Sequence, residues 1–201
     1  MQQRVWESIA QSWNRHRQIP EKHVLDFMKN KKFLLDIGCG SGRHFVSGKK
    51  YISIDFSKEM LKLAKQNARK KKIKVHLICA DASALPLKDS MFKDVMLSSV
   101  LHVLEGKKKI LCLKEIKRII KKGGSAIITV WYRCQPRFVG KGKAVYVPWR
   151  VGKKKYMRYY YLFTKYELKK LLDEHFEVQY IESQKRSKSY DENIIAVVKK
   201  L

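Results

Sequence analysis

The 201-residue chain is short of acid. Eighteen Asp and Glu stand against 45 Lys and Arg, a formal net charge of +27. Pairing every carboxylate still leaves that surplus of cations, so surface ion pairing does not account for it. Nucleic acid is the first partner it suggests, because displacing counterions from phosphates rewards cations whatever the base sequence. An anionic membrane surface or an acidic protein satisfies the same charge argument. Long apolar runs are also missing: the longest are a few residues, as at Ala126–Ile128, and the N-terminus opens polar. That excludes a membrane-spanning helix, leaves no signal-peptide pattern, and makes a soluble, cytoplasmic protein the expectation. The four cysteines, Cys39, Cys79, Cys112 and Cys134, lie far apart with no C-x-x-C spacing. This argues against a zinc site and against a disulfide framework, so no metal is expected. Internal repeats and low-complexity segments are lacking, and a chain of this length buries roughly 70% of its unfolded surface as one domain.

What the chain does have is LLDIGCGSGRH, Leu34 to His44. The apolar run Phe33, Leu34, Leu35 leads into Asp36 and then glycines at 38, 40 and 42. A buried strand thus turns into a loop whose backbone amides can meet a ligand directly. A second apolar run, Tyr51 to Ile54, ends in Asp55, seventeen residues after Gly38. An acid at that strand tip can take both hydroxyls of a ribose. The glycine spacing is GxGxG rather than the GxGxxG of a pyrophosphate loop, so the ligand is a nucleoside.

Read in order, residues 5–13 place Val5, Trp6, Ile9, Ala10 and Trp13 on one helical face, with the two tryptophans expected in packing. Pro20 begins a second helix to about Asn30. Strands are expected at Phe33–Ile37, Tyr51–Ile54, Val75–Cys79, Phe92–Ser98 and Ser125–Trp131, with helices after Ser57 and from Lys107 to Ile120. The eight residues before Tyr51 leave room for a turn or two only, and Gly123 and Gly124 read as a helix stop. From Arg133 to Lys165 there are ten basic residues, eight aromatics and no acid, interrupted by glycines and prolines. That mixture suits single-stranded or loop RNA, and Trp149 falls in what reads as a turn-rich loop. Thr164 starts the last helix, and Glu177–Gln184 and Asn193–Val198 close the chain as an antiparallel pair joined by a lysine-rich turn. Strands alternating with helices make the fold class α/β, a doubly wound Rossmann-like sheet with its ligand at the C-terminal strand ends. The domain is expected to span residues 1–201, with a helical cover at 1–30 and an inserted substrate-binding segment at 132–163.

D-x-G-x-G-x-G followed by a strand-end acid resembles the cofactor signature of class I S-adenosylmethionine-dependent methyltransferases. The resemblance implies that Asp36, Gly38, Gly40, Gly42, Asp55, Phe56, Asp81, Ala82 and Ser98 hold that cofactor, Asp81 and Ala82 at the adenine. The opening VWESIAQSWNRHR, the YVPW segment from Tyr146 to Trp149 and RYYYLF from Arg158 to Phe163 resemble the tRNA methyltransferases that esterify carboxymethyluridine at the wobble position. By that resemblance Arg17 contacts the substrate, and His102, Trp149 and Tyr159 shape the pocket. Departures from the family stand at His16, Val103 and Tyr161. The implied partners are a tRNA anticodon stem-loop and a small zinc-binding activator subunit, for which the apolar VHLICA strand offers an edge.

A carboxymethyl carboxylate has a pKa of about 4, so it is a nucleophile at neutral pH without a general base. Alignment and removal of water are what the protein must supply. Two alternatives remain open on sequence: a small-molecule methyltransferase, and an RNA-binding protein whose methyltransferase fold has lost catalysis.

Overall fold

The computed structural model describes residues 2–185 and 192–201. The lysine-rich turn expected before the last strand falls at 186–191 and lies outside the described residues. Seven strands form one sheet: β1 Phe33–Ile37, β2 Lys50–Asp55, β3 Val75–Cys79, β4 Phe92–Ser98, β5 Ile120–Trp131, β8 Glu177–Lys185 and β9 Glu192–Lys199. Their order is β3-β2-β1-β4-β5-β9-β8, parallel from β3 to β5 and antiparallel on both sides of β9. Strand β3 is therefore an open edge.

Period-two alternation divides the core between the two faces of the sheet. Leu35, Ile37, Val95, Leu97, Ile128 and Ala196 face one side. There they pack with Leu113 and Ile116 of α4 (Lys108–Ile119) and with Leu168 and Leu172 of α5 (Lys165–Asp173). Leu34, Tyr51, Met96, Ile127 and Ile195 face the other side. Val24 and Met28 of α2 (Lys22–Met28) and Ala64 and Ala68 of α3 (Lys58–Lys70) cover them. Strands buried on both faces read as continuous apolar runs, which is how β1, β4 and β5 appear in the sequence. The sheet is doubly wound, as expected.

Helix α1, Gln2–His16, packs its Trp6, Ile9 and Ala10 on Met60 and Leu63 of α3. Its Glu7 carboxylate accepts the backbone amides of Lys58 and Glu59 at 2.8 and 3.3 Å, so α1 caps the start of α3 from outside while Ser57 caps it from within. Thr164 and Glu167 form a reciprocal capping box on α5.

Three expectations need correction. The second helix starts at Lys22, because Glu21 at its N-cap is extended, φ −78° and ψ 132°. Gly123 and Gly124 do not stop a helix: α4 ends at Ile119 and β5 begins at once. Between the pairs Phe92–Ile120 and Asp94–Ser125 the ladder breaks into an irregularity, and the glycines serve it. A Cβ on Gly124 would meet the Lys93 carbonyl oxygen at 2.8 Å, and Gly123 adopts φ +72°. Finally, the basic aromatic segment is not irregular. It folds into a separate antiparallel hairpin, β6 Ala144–Val151 and β7 Lys154–Tyr161, joined through Gly152 and Lys153. Trp149 sits on β6, where half-buried and exposed residues alternate. Gly140 and Gly142 before the hairpin, Pro148 within β6 and Gly152 in its turn masked the two-residue period.

Candidate active site

The parallel strand order reverses at β1, and the C-terminal ends of β1, β2 and β4 open there into a cavity of about 280 Å³. Its floor is the turn from Ile37 to Ser41, its sides are Asp55 with Phe56 and Ser98 with Ser99, and Asp81 and Ala82 close the far end. Gln3, Trp6, Trp13 and Arg17 roof it from the N-terminal segment. Of residues 1–30, helix α1 and Arg17 stand over this cavity, whereas α2 packs on a face of the sheet.

The glycines differ in what they permit. Gly38 has φ +70°, and a Cβ there would strike Val100 Cγ2 at 2.2 Å. Gly42, φ +78°, is pressed on Phe45 in the same way. Gly40 has φ +54° and nothing within 4 Å of its absent Cβ, so it leaves open space on the cavity side. Its amide donates to Asp55 Oδ2 at 2.9 Å, while Ser57 N–H donates to Asp55 Oδ1 at 2.9 Å. The two bonds fix the plane of the carboxylate. Across the cavity Ser99 holds a left-handed φ of +62°, its amide donating to Thr129 Oγ1 at 2.9 Å. A non-glycine residue in this region costs roughly 1–2 kcal/mol, and here the strain lies in the cavity wall.

Burial pushes the Asp55 carboxyl up to about 6 against the pull of its backbone donors. Burial, then the neighbouring Asp55, push Asp36 up to about 7, with Arg43 opposing. Asp36 Oδ2 is buried and meets no donor among the described residues. Two confined carboxylates give the floor a negative potential. Burial alone would push Asp81 up as well, but the Lys108 ammonium at 2.6 Å and the Ser83 hydroxyl and amide hold it below the usual carboxylate range.

A nucleoside bearing a sulfonium and an ammonium fits this donor and acceptor set. Asp55 would receive ribose hydroxyls, the open backbone at Gly40 would admit the ligand, and the negative floor suits its cations. Phe56, Ala82 and the Asp81 region could hold the adenine.

Of the residues expected in catalysis, Arg17 lines the cavity, its guanidinium 5.0 Å from the Trp13 ring centre. Trp149, Tyr159 and His102 do not line it. Trp149 supports it from behind, with its ring 5.1 Å from Trp13 and its indole N–H donating to Ser12 Oγ at 3.1 Å. Tyr159 stands on β7, its backbone amide donating to Gln2 Oε1. His102 is buried beside Trp131 and Tyr160, whose rings stack on each other at 3.9 Å, and its Nδ1 accepts the Trp131 amide at 3.0 Å. Among the cofactor residues, Asp36 lies beneath the floor and Gly42 behind it; Gly38, Gly40, Asp55, Phe56, Asp81, Ala82 and Ser98 line the cavity.

Sequence reading missed a second group. Glu21, 8% exposed, receives Arg43 at 3.0 Å, His23 at 3.4 Å and the Ser98 hydroxyl at 3.0 Å. It ties the N-terminal cover to the cavity wall, since Arg43 and Ser98 both line the cavity. Arg43 and His44 stand directly behind the glycine loop and were visible there; nothing in the sequence around Glu21 marks it. Among the described residues no group of His, Cys, Asp and Glu is arranged to hold a metal ion, and no helix is long and apolar enough to cross a membrane.

The fold is that of class I S-adenosylmethionine-dependent methyltransferases, and the cavity opens at the strand ends where a nucleoside fits. Residues 35–128 match the methyltransferase domain family. The chain is similar to the tRNA (carboxymethyluridine(34)-5-O)-methyltransferase ALKBH8 of Macaca fascicularis, 26% identical over 63% of the chain and 19% of the relative. The PH0226 protein of Pyrococcus horikoshii shares the fold, with a TM-score of 0.73 and 20% identity over 95% of this chain and 92% of that one. So does the structure of the Haloferax volcanii Trm112 methyltransferase activator with a methyltransferase, at a TM-score of 0.71 and 16% identity over 98% and 95%. The chain spans about a fifth to a half of the length of the curated relatives it matches.

Proposed function

We propose that the chain methylates tRNA, converting the carboxylate of 5-carboxymethyluridine at the wobble position to its methyl ester. The observation that carries this reading is the joint roof of the cavity. Arg17 and Trp13 line it, and the basic aromatic hairpin stands against Trp13 through Trp149. A cation beside flat rings at the mouth suits an anionic group on a splayed base. The similarity to carboxymethyluridine methyltransferases supports the same acceptor.

S-adenosylmethionine, when bound, supplies an electrophilic methyl group. The acceptor carboxylate is ionised at neutral pH and needs no base, so the residues of this chain act by placement. Arg17 orients the carboxylate, Trp6 and Trp13 exclude water above it, and Asp55 with the glycine turn sets the depth of the nucleoside. His102 acts behind the site: accepting the Trp131 amide fixes its Nδ1 as unprotonated, so its role is to hold the Trp131 and Tyr160 rings rather than to move a proton.

A small zinc-binding activator is the proposed partner. The open β3 edge, with Leu77 and Ile78 half-buried beside an exposed Cys79, is the surface that would be covered, and the fold is shared with a Trm112-bound methyltransferase.

Incubating carboxymethylated tRNA with the protein, labelled cofactor and activator, followed by nucleoside mass spectrometry, should show the methyl ester. Arg17→Ala should lose it. Absence of the ester with active cofactor binding overturns the reading, and salt-insensitive methylation of a small carboxylic acid would support the small-molecule alternative.

A further inference from the structure

A second depression, of about 630 Å³ and more open than the first, lies outside the cofactor cavity. It runs between Gly106 with the first turn of α4, the end of β7 and one side of α5. Tyr161 and Phe163 make its floor and Tyr166, 75% exposed, stands at its rim. Three lysines surround these rings. Lys109 Nζ lies 4.7 Å from the Tyr161 ring centre and donates to the Leu104 carbonyl at 3.1 Å. Lys143 pairs with Glu167, which also caps α5, and Lys170 pairs with no carboxylate among the described residues. Of the two acids lining the groove, Glu167 is thus engaged by Lys143, leaving Glu174 against Lys109 and Lys170.

The groove and the cofactor cavity share one wall. Leu104, Glu105 and Lys108 line the cavity, whereas Gly106, Lys109 and Ile110 line the groove. A polymer with one unit in the cavity therefore meets the groove as it leaves. We propose that this groove binds a nucleotide of single-stranded RNA next to the one that enters the cavity, its base on Tyr166 and its phosphate on Lys109 and Lys170. The occupant follows from charge and continuity: a chain carrying +27 presents cations and an uncovered flat ring one turn away from its nucleoside site. The inference rests on the RNA reading of the cavity.

The test uses the full chain and a synthetic anticodon stem-loop bearing carboxymethyluridine. Tyr166→Ala should weaken RNA binding by about tenfold, the loss of one base stack. Lys109→Ala and Lys170→Ala should each flatten the dependence of log K on log salt by about 0.7. Cofactor affinity and melting temperature should not change in Tyr166→Ala and Lys170→Ala, whose side chains are exposed. Lys122→Ala, in the irregular start of β5, serves as the charge control and should leave the slope unaltered. Wild-type affinity and slope in the groove variants, or an equal effect of Lys122→Ala, overturns the groove alone. Failure of the wild type to bind the stem-loop overturns the groove together with the RNA reading.

Discussion

The Arg158 guanidinium of β7 stands 4.8 Å from the centre of the Trp149 ring on the neighbouring strand of the hairpin, and from there it also reaches the tryptophans of helix α1. Trp13 lies at 5.4 Å, Tyr160 at 5.2 Å and Trp6 at 6.0 Å from the same group, and one arm donates to the Tyr160 hydroxyl at 2.7 Å. Arg158 is 3% exposed and pairs with no carboxylate among the described residues. Ring faces replace the counterion, at the cost of a desolvation that lowers its pKa.

Removing this group should loosen the roof of the cavity. Arg158→Ala leaves a void among four rings and is expected to cost about 2–4 kcal/mol, read by denaturant unfolding. Arg158→Met fills much of the space without burying a charge and should cost less than half of that. Equal losses would contradict a packing role.

Cofactor binding should weaken on acidification. The Asp55 pKa is raised, to about 6, so the carboxyl is ionised above that pH and protonated below it. A ribose held by a carboxylate loses its best acceptor as pH falls, and the dissociation constant should rise by up to tenfold per unit below about 6. Calorimetry with S-adenosylhomocysteine between pH 5 and 8 checks this, with Asp55→Asn expected to be weak and flat. The same sign applies to stability. A folded pKa above the usual 3.8 means the protonated form is preferred in the fold, so the stability that Asp36 and Asp55 give the unliganded fold is complete below 3.8, falls as pH rises from there, and is lost once pH passes their raised values of about 7 and about 6.

Two alanine substitutions in the glycine turn should separate folding from binding. Gly38→Ala meets Val100 at 2.2 Å in a left-handed backbone and should cost about 3 kcal/mol or more of stability. Gly40→Ala has room, so it should lose only the backbone preference, roughly 1–2 kcal/mol, yet place a methyl group on the open side of the turn and weaken the cofactor at least tenfold. Thermal unfolding beside cofactor titration distinguishes them.

Glu21→Ala removes the carboxylate shared by Arg43, His23 and Ser98 and should cost about 2–3 kcal/mol. Because Arg43 and Ser98 line the cavity, cofactor affinity should fall with it. Unchanged affinity in a folded variant would confine Glu21 to a structural role.

Much of the sheet was legible because each parallel strand is an apolar run bounded by a glycine, an acid or a lysine cluster. Phe33–Ile37, Val75–Cys79 and Phe92–Ser98 have the bounds the sequence suggests. The inserted hairpin was not legible, because its partly buried residues pack on α1 and on Trp131 at the end of β5 rather than across a sheet face, and its short turn and Pro148 obscured a weak alternation. Glu21 was invisible for another reason: its partners come from α2, the glycine loop and β4, segments brought together only by folding.

The sequence by itself determined the nucleoside site, since a left-handed glycine turn followed by an acid at the next strand end is a local device whose geometry depends on a few adjacent dihedrals. It also determined the cationic excess and hence the class of partner it suits. Tertiary structure decided which cations and rings stand together. Arg17, Trp13, Trp149 and Arg158 come from the two ends of a sequence interval of more than a hundred residues, and no local pattern records a contact made across that distance.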